Sequence, residues 1–172
     1  MQKRGIELNK KKWIIGLIAS IILILLDQYT KLYITKTISL HEQVDLIEHV
    51  LYFTYFQNTG AAFSLLTGFG NVFFGIITIT ALIFILYMFK DTENKFMMTG
   101  YILVFAGAIG NFIDRMFLNY VRDFIGVYIG SYAFPIFNEA EISITVGFAL
   151  ILCWMLIEEI EEKKRWKKEL LK

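Results

Sequence analysis

Reactive and stiffening residues are scarce in this chain. Its 172 residues include one cysteine, one proline and two histidines. A lone cysteine cannot build a disulfide framework or a thiolate metal site, and Cys153 lies in an apolar run where it reads as a packed, inert thiol. His41 and His49 stand together, remote in sequence from most acids, which leaves His-based zinc sites and nucleophile–histidine triads without parts. An excess of one charge is missing too. There are 17 basic and 16 acidic residues and no basic stretch interleaved with aromatics, so nucleic acid is not an expected partner.

Apolar residues are abundant. At 56% hydrophobic, the chain has more apolar surface than one soluble core of this length would bury. Four runs approach the roughly 20 residues needed to cross a hydrocarbon core of about 30 Å, at residues 13–34, 72–89, 97–118 and 142–157. The first is too long for a signal-peptide core and lacks a small-residue cleavage pattern, so it reads as a retained span. The expectation is an all-α integral membrane protein of four helices, one membrane domain over 1–172.

Lys and Arg collect on the cytoplasmic side of membranes. Thirteen of the 17 basic residues fall in residues 1–12, between Lys90 and Lys95, or after Glu158, which places both termini inside. The alternating acid and base blocks after Glu158 read as a solvated helical extension of the fourth span. Two outer segments remain, 35–71 and 119–140. The first is rich in aromatic and branched residues and reads as an amphipathic β-structure on the membrane surface; the second reads as short strands around Gly126 and Gly130.

Ionisable residues in or beside spans are costly, and each asks for a partner or a function. Asp27 and Lys31 stand one helical turn apart and suit an ion pair. In QNTGAAFS, Asn58 lies beside Gly60, Ala61 and Ala62, small residues that permit close backbone approach. In GNFIDR, Asn111, Asp114 and Arg115 share one helix face, with Arg115 expected to neutralise Asp114. FNEAE repeats the asparagine-to-acid spacing with Asn138 and Glu141, while Glu139 reads as a solvated loop acid. Asp123, in VRDFI, lies between these elements. With no other nucleophile set available, paired carboxylates remain: two acids held close share a proton and together activate water against an amide. Residue chemistry alone does not choose the pair among Asp114, Asp123 and Glu141.

The ordered motifs DQYTK, QNTGAAFS, GNFIDR, VRDFI and FNEAE together resemble lipoprotein signal peptidase, also called signal peptidase II, over essentially the whole chain. The resemblance implies a bacterial membrane aspartyl endopeptidase, a monomer among membrane lipids, that removes signal peptides from diacylglyceryl-modified prolipoproteins without a metal or organic cofactor. It implies a multi-pass protein of the cell membrane with its active site toward the outer face, where residues 35–71 form a β-cradle. It assigns catalysis to Asp123 and position 141, site-shaping or substrate-holding roles to Asn58, Gly60, Asn111, Arg115 and Asn138, and structural roles to Asp27, Lys31 and Asp114.

Two departures touch the pair. Glu141 stands where the family has aspartate, and Arg122 where it usually has a small apolar residue. Glutamate lengthens the arm by one methylene, and a displacement of about 1 Å can cost about 100-fold in rate. On a strand, Arg122 points away from Asp123 toward lipid headgroups; turned inward, it pairs with Glu141 and spoils the shared proton. The competing reading is a weak or inactive relative that binds lipoproteins or signal peptides without cutting; a small proton-coupled carrier stands further off.

Overall fold

A computed structural model describes residues 2–60 and 70–171. Ala61 and Ala62, with the rest of 61–69, and Lys172 lie outside the described residues. In chain order the elements are α1 (Gln2–Thr37), β1 (Gln43–Ile47), β2 (Leu51–Asn58), α2 (Gly70–Asp91), α3 (Lys95–Leu118), β3 (Val121–Ile129), β4 (Tyr132–Ala133) and α4 (Glu139–Leu170). All four helices are long and apolar enough to cross a membrane.

Large apolar side chains point outward along the helices, among them Leu17, Leu25, Ile83, Phe84, Phe148 and Leu152. Such a surface suits acyl chains and would be an aggregation liability in water. Cys153 belongs to it. It is exposed rather than packed, because the buried side of α4 runs through Ala140, Gly147 and Ile151.

Helix α3 is the hub, with α1, α2 and α4 packed on it. Small residues let α4 come closest. A Cβ on Gly107 would lie 2.4 Å from the Ala140 carbonyl oxygen, and one on Gly147 would lie 2.7 Å from that of Gly100. Where lipid removes the hydrophobic drive between helices, such close backbone contact supplies the association through dispersion. On α1 the buried positions Ser20, Asp27, Lys31 and Ile34 form one helical stripe facing the bundle. At the opposite end Lys12 donates to the carbonyls of Phe89, Lys90 and Thr92 at 3.1, 2.7 and 3.1 Å, closing the C-terminus of α2.

The strands form one antiparallel sheet in the order β1-β2-β3-β4. Gly126 lies inside β3 opposite Tyr52, whose ring covers it so closely that a Cβ there would stand 2.1 Å from a ring carbon. Gly130 makes the β3–β4 turn with φ +63°. Ile34 of α1 and Ile38 just beyond its end pack on Phe124, fastening the sheet to the first helix. Beyond Glu158 α4 continues as an exposed helix to Leu170, as the charge pattern implied.

Candidate active site

Two short connections bring the polar residues together. Asn119, in the left-handed conformation at φ 69°, ends α3, and two residues later β3 begins, so the GNFIDR face stays beside VRDFI. Asn138 begins α4 in extended conformation; its Oδ1 accepts from the backbone N of Glu141 at 3.0 Å, capping the helix.

Asp123 is completely buried and both of its oxygens are held by amides. Asn58 Nδ2 donates to Oδ2 at 2.8 Å and Asn138 Nδ2 to Oδ1 at 2.6 Å. Burial pushes this carboxyl up to about 6, against the opposing pull of those two hydrogen bonds and, less strongly, of Lys31 and Arg115. Asn138 therefore has two duties: its amide nitrogen orients Asp123 while its oxygen fixes the backbone of residue 141. Glu141 is partly exposed and interacts electrostatically with Asp123, and Arg115 feels both carboxylates.

Behind Asp123 the polar chain continues inward. Asn138 Nδ2 also reaches Asn111 Oδ1 at 3.2 Å, which accepts from Lys31 Nζ at 2.8 Å. Lys31, fully buried, meets Asp27 at 2.9 Å as the one-turn spacing implied, and approaches Asp114 at 3.6 Å. On the other flank Asn58 Oδ1 accepts from Gly60 N at 2.9 Å, and Gly60 O accepts from Arg115 Nη2 at 2.7 Å. Asn58, Gly60, Asn111, Arg115, Asn138, Asp123 and Glu141 thus converge on one site, with Asp27, Lys31 and Asp114 supporting it.

Three expectations need correction. Asp114 is not neutralised by Arg115, which turns to Gly60 and lies over the Phe74 ring, 4.9 Å from its centroid. Its partner is Arg122, whose Nη2 and Nε reach the two carboxylate oxygens at 2.6 and 3.1 Å, with a third bond at 2.9 Å from the Arg122 backbone N. Strand alternation does turn Arg122 away from Asp123, but onto the buried Asp114 and the half-buried Gln28 rather than lipid headgroups or Glu141. Glu139 is no solvated loop acid: it is the first residue of α4, and Thr30 Oγ1 donates to its Oε2 at 2.5 Å. Gln28, within DQYTK, was given no role from the sequence. It bonds Arg122, Asp114 and the Gly110 carbonyl, and an amide inside an apolar run was itself the signal that a buried partner had to exist.

Comparison with known proteins identifies the family. The family model described as signal peptidase (SPase) II matches residues 19–157. A lipoprotein signal peptidase of Halalkalibacterium halodurans is 38% identical over 148 residues, 86% of this chain and 95% of that protein. One from Staphylococcus aureus is 41% identical over 159 residues, 90% of this chain and 97% of its own length. A solved bacterial membrane enzyme, 40% identical, superposes with a TM-score of 0.79 over 84% of this chain and 88% of its own. A second, also 40% identical, gives 0.74 over 82% and 92%. With a family model over most of its length and relatives matched nearly end to end, this chain belongs to the signal peptidase II family.

Proposed function

We propose that this protein is an aspartic-type endopeptidase of the bacterial cell membrane that removes signal peptides from diacylglyceryl-modified prolipoproteins, with Asp123 and Glu141 as its catalytic pair. The observation that carries the reading is Asp123: a fully buried carboxylate, aimed by two asparagine amides and in electrostatic contact with a second carboxylate on the next helix. Amides that donate to both oxygens favour the ionised form, so Asp123 is the base and Glu141 the proton-bearing partner.

The chemistry follows. Asp123 takes a proton from a water as its oxygen bonds to the scissile carbonyl carbon, while Glu141 gives its proton to the carbonyl oxygen. The tetrahedral diol then collapses: the C–N bond breaks, the leaving nitrogen takes the proton held by Asp123, and a diol hydroxyl returns a proton to Glu141. Arg115, which interacts electrostatically with both carboxylates, is suited to steady the negative charge they exchange. The basic residues at the Lys12 end of the bundle support an orientation with both termini cytoplasmic and the sheet end outside. Arg122, engaged with Asp114, leaves the pair untouched and so no longer supports a non-cutting relative.

The test is cleavage of a purified diacylglyceryl prolipoprotein. Asp123→Asn and Glu141→Gln should each fall to background while remaining folded; full rate in either would disprove the assignment of the pair.

A further inference from the structure

Lys31 is a costly residue to place where it stands. Its side chain has no exposure, and a buried ammonium is tolerated only when paired and well hydrogen-bonded. Neutralising Asp27 is the plain account of it, and Lys31 does meet Asp27 Oδ2 at 2.9 Å. That account is incomplete. Among the described residues no donor meets Asp27 Oδ1, yet Lys31 makes a shorter bond, 2.8 Å, to the neutral Asn111 Oδ1. A cation serving the carboxylate alone would direct its donors there.

The bond to Asn111 fixes the polarity of what lies beyond it. An ammonium only donates, so Asn111 must present its oxygen to Lys31. The same oxygen accepts from Asn138 Nδ2 at 3.2 Å, and Asn138 Nδ2 in turn donates to Asp123 Oδ1 at 2.6 Å. An amide turned by 180° keeps nearly the same shape, so packing alone does not choose between its oxygen and its nitrogen. The backbone N of residue 141 favours the observed orientation of Asn138; for Asn111 the choice falls to Lys31. Turned over, Asn111 would set its own NH2 group against that of Asn138, and two donors in contact would force Asn138 off the carboxylate. Loss of that hydrogen bond disfavours ionised Asp123.

The other charged groups near Asp123 are Glu141 on α4 and Arg115 on α3. Asp114 on α3 is paired with Arg122, which turns away on β3, and β2 presents the neutral Asn58. Arg115 and Lys31 both pull Asp123 toward its ionised form, but Lys31 is the one bonded through Asn111 to the Asn138 amide. We propose that Lys31 is a positioning residue of the peptidase: its ammonium fixes the amide of Asn111, which fixes that of Asn138, so that an N–H is held against the Asp123 carboxylate.

This rests on Asp123 as the proposed base, so the test reads Asp123 directly as well as through cleavage. The infrared band of its protonated carboxyl, identified by its loss in Asp123→Asn, is followed against pH in detergent. Lys31→Met alone strands the buried Asp27; the pair Asp27→Asn with Lys31→Met removes one charge of each sign. Asn111→Leu cuts the chain in its middle and leaves the buried ion pairs in place. Both variants are checked by size-exclusion profile and melting temperature, and if one fails to fold the other decides. A hydrogen bond to a charged group corresponds to roughly tenfold or more, so each variant should raise the Asp123 midpoint by about one pH unit. From a midpoint near 6, kcat should then fall about tenfold near pH 5 and only about twofold near pH 7, with KM little changed. A purely structural role would lower the rate evenly across pH. All three substitutions together should shift the midpoint by less than the sum of the separate shifts, because they break one chain. An unmoved midpoint in either folded variant, or a fully additive shift, overturns the proposal. If Asp123→Asn cleaves at full rate while the midpoint moves as expected, the catalytic pair is wrong and the positioning of Asp123 by Lys31 stands. An inactive Asp123→Asn with an unmoved midpoint removes the role of Lys31 alone.

Discussion

Replacing Arg122 with methionine separates two views of this residue, because methionine keeps much of the aliphatic stem and removes the charge. Arg122 makes three side-chain hydrogen bonds, to Asp114 Oδ2 at 3.1 Å, Asp114 Oδ1 at 2.6 Å and Gln28 Oε1 at 2.8 Å. Stripping one partner from a buried pair costs about 3–5 kcal/mol when the other charge is left uncompensated. Asp114 is not wholly abandoned: it keeps the Arg122 backbone N at 2.9 Å, Gln28 Nε2 at 3.3 Å and Lys31 at 3.6 Å. The loss should therefore fall near or below the low end, about 2–3 kcal/mol, or a drop of roughly 5–10 °C in melting temperature for a chain of this size. Thermal unfolding of Arg122→Met, Asp114→Asn and the double variant forms a cycle. Arg122→Met should cost at least about 1 kcal/mol less in the Asp114→Asn background, since the carboxylate it served is gone. Cleavage per folded molecule should not rise. Equal costs in both backgrounds, or a large gain in cleavage with stability unchanged, would show that Arg122 restrains Glu141 and refute the assignment to Asp114.

Four further outcomes follow from the same geometry. Asn58→Ala removes a hydrogen bond that favours ionised Asp123, so the limb of the pH–rate profile set by this carboxyl should move above its present value near 6; a shift to lower pH would contradict the role given to the amide. Because that folded-state value stands above the ordinary aspartate value of about 4, the stability contribution of Asp123 is fully present below pH 4 and is lost as pH rises through about 6. Asp123→Asn should flatten that part of the stability–pH curve. Asn138→Ala should lose about 1 kcal/mol of helix capping together with cleavage, whereas Asn138→Asp should recover the cap but not the rate, since a carboxylate cannot donate to Asp123. Gly107→Ala places a methyl 2.4 Å from the Ala140 oxygen and should cost about 1–3 kcal/mol, with a lower rate because Ala140 adjoins Glu141.

Spans and sheet were legible in the sequence to different degrees, for physical reasons. A run of apolar residues long enough to cross a bilayer carries its own reading, and a concentration of branched and aromatic residues marked the first strands. The partner of a charge is harder. Asp114 and Arg115 are neighbours in sequence and share a helix face, so pairing them was the local choice. The short turn at Asn119 instead returns the chain antiparallel and brings Arg122 back over the same carboxylate, a contact fixed by tertiary structure that no spacing within the helix encodes. Cys153 fails for a related reason. An apolar run predicts burial in something, and for α4 that something is lipid on one side and α3 on the other.

Glu141 raises the same distinction between what a residue is and where its backbone is held. The extra methylene relative to aspartate would misplace the carboxyl if the start of α4 could drift, but Asn138 binds the Asp123 carboxylate with one end of its amide and the backbone of residue 141 with the other. Position 141 and the Asp123 oxygens are thereby tied through a single fully buried side chain, with Asn111 and Lys31 behind it. The added length is then left to side-chain rotation in a partly exposed group, where a rotamer change costs far less than moving a helix terminus packed through Gly107 and Ala140. The part of the pair that differs from aspartate is its most adjustable part, which is why a glutamate at this position is compatible with the two-carboxylate chemistry proposed for the site.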